Sequence, residues 1–177
     1  ALAGSEVELV DLPDRDLRLR RALAMVEGLY RFVLIDCPPS LALLTLNGLV
    51  AADSVLIPVQ CEYYALEGLS HLLDTINLVR QTRNPLLAVE GVLLTMYSSR
   101  LNLAQQVVEQ VRNHFGSQVF ATIIPRSVRL AEAPSFGQSI LQYDRSSPAA
   151  QAYKALGQEL ISRITEPEFA LESQGTR

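Results

Sequence analysis

The chain has no tryptophan, two cysteines and two histidines. Of its 15 lysine and arginine residues only Lys154 is a lysine. Cys37 and Cys61 are too few for a disulfide framework or a four-ligand zinc site, so buried free thiols in a reducing compartment are expected. No apolar run approaches the ~20 residues that span a bilayer, and no signal peptide is visible. Because the net charge is −4, any affinity for nucleic acid must come from a local basic patch.

Several catalytic signatures are also missing. The sequence contains no G-x-S-x-G, no H-E-x-x-H and no C-x-x-C string. His71 and His114 fall on predicted helices without spaced partners, so surface histidines are expected rather than metal ligands. A serine hydrolase, a zinc protease and a dithiol oxidoreductase therefore have no specific support.

The most informative stretch runs from Tyr30 to Ser40. Phe32–Ile35 is a continuous apolar run, which predicts a strand buried on both faces of a parallel sheet. The run ends on Asp36, and Pro38-Pro39 stop the strand. A carboxylate at the carboxyl end of such a strand is where P-loop NTPases hold Mg²⁺. The alternative is a plain strand-end carboxylate, with Ser40 as the N-cap of the next helix.

Predicted strands and helices alternate along the rest of the chain. The pattern predicts one α/β domain over residues 1–165, with a doubly wound, mostly parallel sheet and helices on both faces. Residues 166–177 are polar and are predicted to be a disordered tail. The further predicted strands are 55–59, 89–96 and 119–124. The predicted helices are 14–28, 41–52, 65–83, 103–115, a short one within 127–136, and 148–165.

Four strings then carry a family resemblance: FVLIDCPPS (32–40), AADSVLIPVQCEYYALEGL (51–69), GVLLTMYSSR (91–100) and IIPRSVRLAEAPSFG (123–137). In this order they resemble the ParA/Soj-type chromosome- or plasmid-partitioning ATPases, over about residues 1–165. The resemblance implies a P-loop NTPase-like fold. It also implies a bacterial, cytoplasmic, nucleoid-associated protein that binds ATP and Mg²⁺, forms a homodimer, binds DNA non-specifically and hydrolyses ATP when a ParB-like partner stimulates it.

The sequence departs from the family pattern in one large respect. The family's K-G-G-x-G-K-T phosphate loop and its D-x-D-P-Q motif are absent, and no G-x-x-x-x-G-K-[ST] string exists. The chain is therefore expected to be a C-terminal portion that begins downstream of both. One carboxylate cannot replace a cradle of backbone N–H groups. The chain alone is thus expected neither to bind ATP tightly nor to hydrolyse it.

The resemblance assigns roles at the nucleotide site. Asp36 matches the Walker B aspartate, which orients Mg²⁺, through water, and the attacking water. Pro38 and Pro39 match the switch that responds to the γ-phosphate. Pro125 matches a residue beside the adenine ring, and Arg126 and Met96 are assigned to the same nucleotide site. Strand termination or core packing is the alternative reading of the prolines and of Met96.

The resemblance also assigns DNA and protein contacts. Arg100 and Arg129 match arginines that bind DNA without reading sequence; the alternative is solvation, or pairing with acids such as Glu132. The resemblance places Glu62, Tyr63 and Tyr64 in a stretch that, in the family, lies near the dimer partner. Phe136 and Gln138 stand where the family more often has histidine and lysine, which weakens any charged contact there.

Two alternatives remain open. A MinD-type division-site ATPase shares the D-x-P-P region but carries a C-terminal amphipathic membrane helix, and residues 166–177 do not have that pattern. No membrane partner is therefore expected. The second alternative is an α/β module without a phosphate loop that acts only through protein–protein contacts. Its exposed sheet edge would favour self-association.

Overall fold

The computed structural model describes Gly4 and residues 8–63 and 65–165. These residues form two compact units: residues up to Ile57 with Leu66–Glu90, and Pro58–Ala65 with the residues from Gly91 onward. The predicted tail, 166–177, lies outside the described residues. No helix in the described part of the chain has the length and apolar character needed to cross a membrane.

Two strands, β1 (Ser54–Gln60) and β2 (Ala88–Thr95), pair in parallel and form the regular sheet of the described residues. The Ala88 N–H donates to the Asp53 carbonyl at 2.9 Å, and the Cys61 N–H donates to the Thr95 carbonyl at 2.9 Å. The α/β class and the parallel order are therefore confirmed. The predicted bounds of these two strands are right to within one residue.

The first unit contains α1 (Arg18–Ala24), α2 (Leu43–Ala51) and, from Leu66 onward, α3 (Ala65–Thr82). Asn47, on α2, is buried, and its side-chain oxygen accepts the Leu19 N–H of α1 at 3.1 Å. Asn47 therefore caps α1, and Asp14, at the start of the predicted helix, pairs with Arg21. The apolar core of this unit consists of Leu49, Val50, Ile57, Leu69, Ile76, Val79 and Leu87.

Two arginines hold the segment that precedes α1. Arg15 donates to the Val10 carbonyl at 2.7 Å, and Arg18 donates to the Pro13 carbonyl at 2.9 Å. These side chains satisfy the carbonyl groups of the turn that precedes the helix. Close by, the largely buried Asp16 carboxylate pairs with Arg83. The arginines of this stretch therefore hold a turn in place.

The second unit contains α4 (Asn102–Phe115), α5 (Val128–Glu132), α6 (Ile140–Tyr143) and α7 (Pro148–Thr165). Short 3₁₀ turns follow α4 at Gly116–Gln118 and α5 at Ala133–Phe136. Gly116 follows α4 and Gly137 follows the second 3₁₀ turn, and both have the positive φ that is common where a helix ends. The core of this unit includes Val59, Cys61, Val92, Leu94, Val107, Val111, Phe120 and Ile124.

The prediction of a buried strand at Phe32–Ile35 is wrong for this structure. Residues 32–38 have no regular secondary structure, and Phe32, Val33 and Leu34 are exposed. No strand within the described residues pairs with this segment. A strand inside a sheet needs neighbouring strands that bond to its N–H and carbonyl groups. No strand among the described residues does so for this segment.

The predicted strand at 119–124 forms only in part. Isolated parallel bridges join Val92 to Val119 and Tyr97 to Pro125. Phe120 N–H donates to the Val92 carbonyl and Ile124 N–H to the Leu94 carbonyl, each at 2.9 Å. Between these two contacts the segment leaves the ladder, and the Ala121 and Thr122 N–H groups donate to the Glu159 side chain instead.

Candidate functional site

Asp36, Pro38 and Pro39 lie in the extended, exposed segment of the first unit. The Thr45 hydroxyl holds this segment beside α2, since it lies 3.2 Å from the Pro38 carbonyl and 2.5 Å from the Ser40 carbonyl. Ser40 does not act as the N-cap of this helix. Instead, α2 begins after Ala42, and no side chain forms a capping hydrogen bond there.

Cys37 fixes the same segment by close packing. A methyl group at position 48 would lie 2.6 Å from Cys37 Sγ, so a larger residue there would force the Cys37 side chain or the helix to shift. Burial raises the pKa of the Cys37 thiol, and the neighbouring Asp36 carboxylate raises it further. Although its thiol is partly desolvated, Cys37 is exposed, whereas Cys61 is buried. The prediction of two buried thiols is therefore right only for Cys61.

In the second unit the structure brings Met96 and Tyr97 together with Pro125 and Arg126. The Tyr97 N–H donates to the Ile124 carbonyl at 3.1 Å, and the Arg126 N–H donates to the Tyr97 carbonyl at 2.8 Å. Met96 has φ +55°, a backbone conformation that is uncommon for a residue with a side chain and often found at functional positions. The end of β2 and the end of the 119–124 segment therefore lie side by side at one edge of this unit.

An ion pair lies at this edge. The Arg126 guanidinium is 2.5 Å from the Glu62 carboxylate, and both side chains are about half exposed. Sequence reasoning singled out both residues but did not pair them. The pairing could have been predicted from the sequence, because Glu62 follows β1, Arg126 follows the 119–124 segment, and parallel strands end at the same edge. Tyr63 is exposed, and Tyr64 lies outside the described residues.

The two candidate DNA-contact arginines have different surroundings. Arg100 is exposed in the turn after Tyr97 and has no hydrogen bond or ion pair to any described residue. Arg129 pairs with Glu132 at 3.1 Å, as the sequence alternative proposed, and with Asp144 at 3.7 Å. The hydrogen bond to Glu132 raises the pKa of Arg129 above its usual value.

Glu159, on α7, is a residue that sequence reasoning missed. Its carboxylate accepts the Ala121 N–H at 2.7 Å and the Thr122 N–H at 2.9 Å, and it pairs with Arg163 at 2.9 Å. These bonds replace the ladder bonds that the 119–124 segment lacks. Two successive N–H groups around a carboxylate form an anion-binding nest. Glu159 therefore holds the segment that leads to Pro125 and Arg126.

Arg163 completes this arrangement. Its guanidinium lies 4.1 Å from the centre of the Phe120 ring and donates to the Val119 carbonyl at 3.0 Å. Gly91, in β2, permits the close approach, because a methyl group there would lie 2.6 Å from the Gln118 carbonyl oxygen and 2.7 Å from the Phe120 ring.

The residues present fit only part of a Mg²⁺–nucleotide site. Mg²⁺ is commonly held by one or two carboxylates together with phosphate oxygens and waters, so Asp36 suits one such ligand. No group of three or more histidine, cysteine, aspartate or glutamate residues in the described part of the chain could hold a metal. A phosphate cradle requires a run of backbone N–H groups, and the sequence has no phosphate-loop motif.

Comparison with known proteins gives one family match. The family model described as "AAA domain" matches residues 1–89, just over half of the chain. The chromosome partitioning protein ParA of Myxococcus xanthus is 60% identical over 164 residues, which cover 93% of this chain and 58% of that protein. The sporulation initiation inhibitor protein Soj of Bacillus subtilis is 55% identical over 161 residues, which cover 91% of this chain and 64% of that protein.

Solved structures give the same fold. The crystal structure of cobyrinic acid a,c-diamide synthase from Mycobacterium smegmatis with bound ADP and magnesium matches with a TM-score of 0.75 and 37% identity. The match covers 92% of this chain and 59% of that one. The chain thus spans about three fifths of the length of the two curated relatives. The chain belongs to the AAA domain family and, within it, is of the ParA/Soj type.

Proposed function

We propose that this chain is the greater part of a ParA-type partitioning ATPase that segregates a chromosome or plasmid in a bacterial cytoplasm. The observation that carries the proposal is 60% identity to a chromosome partitioning protein over 93% of the chain. The intact protein would bind ATP and Mg²⁺, dimerise, bind nucleoid DNA non-specifically, and hydrolyse ATP when a ParB-like partner stimulates it.

The candidate nucleotide-binding residues would have distinct roles. Asp36 would orient Mg²⁺ through water and position the attacking water. Pro38 and Pro39 would respond to the γ-phosphate. Pro125, with Met96 and Arg126, would contact the nucleotide, a role supported by the hydrogen bonds that join Tyr97 to Ile124 and Arg126. A related solved structure has bound ADP and magnesium, which supports ATP and Mg²⁺ as the ligands of the intact protein.

This chain by itself would not bind ATP tightly, because the sequence offers no phosphate loop. Titration of the chain with a fluorescent ATP analogue and Mg²⁺ should show no binding in the micromolar range. Light scattering on the same sample reports the mass of the particle. Micromolar affinity would contradict the proposal, since a phosphate site would then exist in these 177 residues.

Non-specific DNA binding would use Arg100 and Arg129, through contacts with backbone phosphates. Arginine guanidinium groups make such contacts without reading sequence, and the affinity falls as salt rises. Arg100→Ala should weaken binding to a random duplex several-fold, measured by fluorescence anisotropy at about 50 mM salt. A matched control is Arg112→Ala on α4, which is outside the proposed contact. An equal loss in both variants would contradict the assignment of Arg100.

A second candidate function has one observation in its favour. The exposed apolar segment at Phe32–Leu34 would suit an α/β module that acts through protein–protein contacts. Such a chain would form oligomers whether or not nucleotide is present. A MinD-type fragment is less well supported, because the relatives cited above are a ParA and a Soj protein.

A further inference from the structure

Four side chains of α5, the 3₁₀ turn and α6, together with Asp144 immediately after α6, form a compact surface group. It is called here the Arg129 cluster and consists of Arg129, Glu132, Phe136, Tyr143 and Asp144. The Arg129 Nη1 lies 3.1 Å from Glu132 Oε2, and its Nε lies 3.7 Å from Asp144 Oδ2. The guanidinium carbon is 6.0 Å from the centre of the Tyr143 ring. Arg129 is thus contacted by two carboxylates and one aromatic ring.

The cluster is braced by contacts that do not involve Arg129. The Tyr143 hydroxyl donates to Glu132 Oε2 at 3.1 Å. The Phe136 and Tyr143 rings stack, with centres 5.2 Å apart and planes inclined by 22°. Glu132 and Tyr143 therefore stay in place when Arg129 moves, and the carboxylate remains available to receive the guanidinium again.

A phosphate group needs the same donors that the carboxylates occupy. Guanidinium groups bind phosphate and carboxylate in the same forked geometry, so the two anions compete for Nη1 and Nε. Arg100 meets no such competition from any described residue. The two arginines would consequently differ in how readily they reach DNA.

We propose that Glu132 and Asp144 restrain Arg129, so that DNA must displace these carboxylates before Arg129 can contact a phosphate. This inference rests on the proposed DNA-binding function and adds a regulatory feature to it. The restraint lowers the affinity of the chain for DNA and leaves Arg100 as the first contact. An event that draws Glu132 or Asp144 away would strengthen DNA binding without adding any positive charge.

The test is a double-mutant cycle with a fluorescein-labelled random duplex, followed by anisotropy at about 50 mM salt. The variants are Asp144→Asn, Glu132→Gln and Arg129→Ala, together with each carboxylate variant combined with Arg129→Ala. Asn and Gln keep the shape of the side chains and remove the charge. Because Arg129 is exposed and both carboxylates are partly exposed, folding should be preserved, and circular dichroism verifies it.

Loss of any negative charge raises DNA affinity slightly, so a matched control is needed. Glu109 lies exposed on α4, and its side chain forms no hydrogen bond or ion pair with a described residue. Glu109→Gln removes the same charge as Glu132→Gln but restrains no arginine. Arg100→Ala reports separately on whether the chain binds DNA as proposed.

We expect Asp144→Asn and Glu132→Gln each to bind DNA roughly 1.5- to 5-fold more tightly, the range that one exposed ion pair contributes. The gain should exceed that of Glu109→Gln and should vanish when Arg129 is alanine. An equal gain with and without Arg129 would overturn the restraint while leaving DNA binding intact. If no variant binds DNA and Arg100→Ala changes nothing, the proposed DNA-binding function fails and the restraint fails with it.

Discussion

Two apolar stretches of this chain read alike in sequence and behave differently in the structure. Both Phe32–Ile35 and Val119–Ile124 are rich in branched and aromatic side chains and precede a proline. Yet Leu34 is 88% exposed, whereas Phe120 is 0% and Ile124 2% exposed. The second stretch has β2 beside it to receive its N–H groups, and the first has no neighbouring strand among the described residues.

The difference shows that apolar composition marks a segment that can be buried, but a hydrogen-bonding neighbour decides whether it is. Even the second stretch is not a regular strand, because the Glu159 carboxylate takes two of its N–H groups. A side chain that supplies the missing acceptor keeps such a segment in place at a point where the ladder is interrupted.

The largest expected effect on the free energy of unfolding comes from truncating one apolar side chain in each of the two stretches. Ile124→Ala should lower the free energy of unfolding by about 2–5 kcal/mol, because it removes a buried side chain and leaves a cavity. Leu34→Ala should change it by less than about 0.5 kcal/mol, because Leu34 already faces solvent. Urea unfolding followed by circular dichroism measures both. Similar losses in the two variants would mean that residues 32–35 are buried in solution.

The next effect concerns the glycine that lets β2 approach Val119–Ile124. In Gly91→Ala the new methyl group would meet the Gln118 carbonyl oxygen and the Phe120 ring, so the free energy of unfolding should fall by about 1–3 kcal/mol. Gly157→Ala on α7 is the matched control, since nothing lies within 4 Å of a methyl group there. That substitution should raise stability by about 0.5–1 kcal/mol, as expected for alanine in a helix. Thermal unfolding tests both signs, and a neutral Gly91→Ala would contradict the close approach.

The smallest effect concerns Glu159 and depends on pH. Burial alone would raise the pKa of Glu159, but the N–H groups of Thr122 and Ala121 and the Arg163 side chain hold it below the ordinary value of 4.5. A carboxyl group with a lowered pKa stabilises the folded state above its unfolded pKa, and this contribution is lost as pH falls through the folded pKa. Glu159→Gln should therefore cost about 1–2 kcal/mol at pH 7.

The difference between wild type and Glu159→Gln should shrink as pH falls below about 4.5, measured by urea unfolding from pH 7 to pH 3. Gln158→Ala, at the exposed neighbouring position, should behave like wild type at every pH. A difference that stays constant on acidification would show that the charge of Glu159 does not stabilise the segment.

Sequence reasoning predicted the elements whose signals are local. The helix Pro148–Thr165 was predicted to the residue, because a proline begins it and apolar residues recur along it. The strand at Ser54–Gln60 followed from its branched side chains. The proximity of Tyr97 to Arg126 has a similar local origin, since strand ends on one side of a parallel sheet converge.

The rest depended on partners distant in the chain. Asn47 caps α1 from 28 residues further on, and Glu159 reaches Ala121 from 38 residues further on. Residue spacing carries no signal for such pairs. The pairing of Arg129 with Glu132, three residues away on one helix, could be anticipated, but its contact with Asp144 could not.

The separation between Glu159 and its partners also has a consequence for synthesis. At about 5–20 residues per second, a ribosome needs roughly 2–8 s to add the 38 residues between Ala121 and Glu159. Over an interval of the same length, after Ala121 leaves the ribosome and before Glu159 does, the Ala121 and Thr122 amides have no carboxylate to bind. The apolar residues around them can then meet other nascent or unfolded chains. Completion of α7 ends this period of vulnerability during translation.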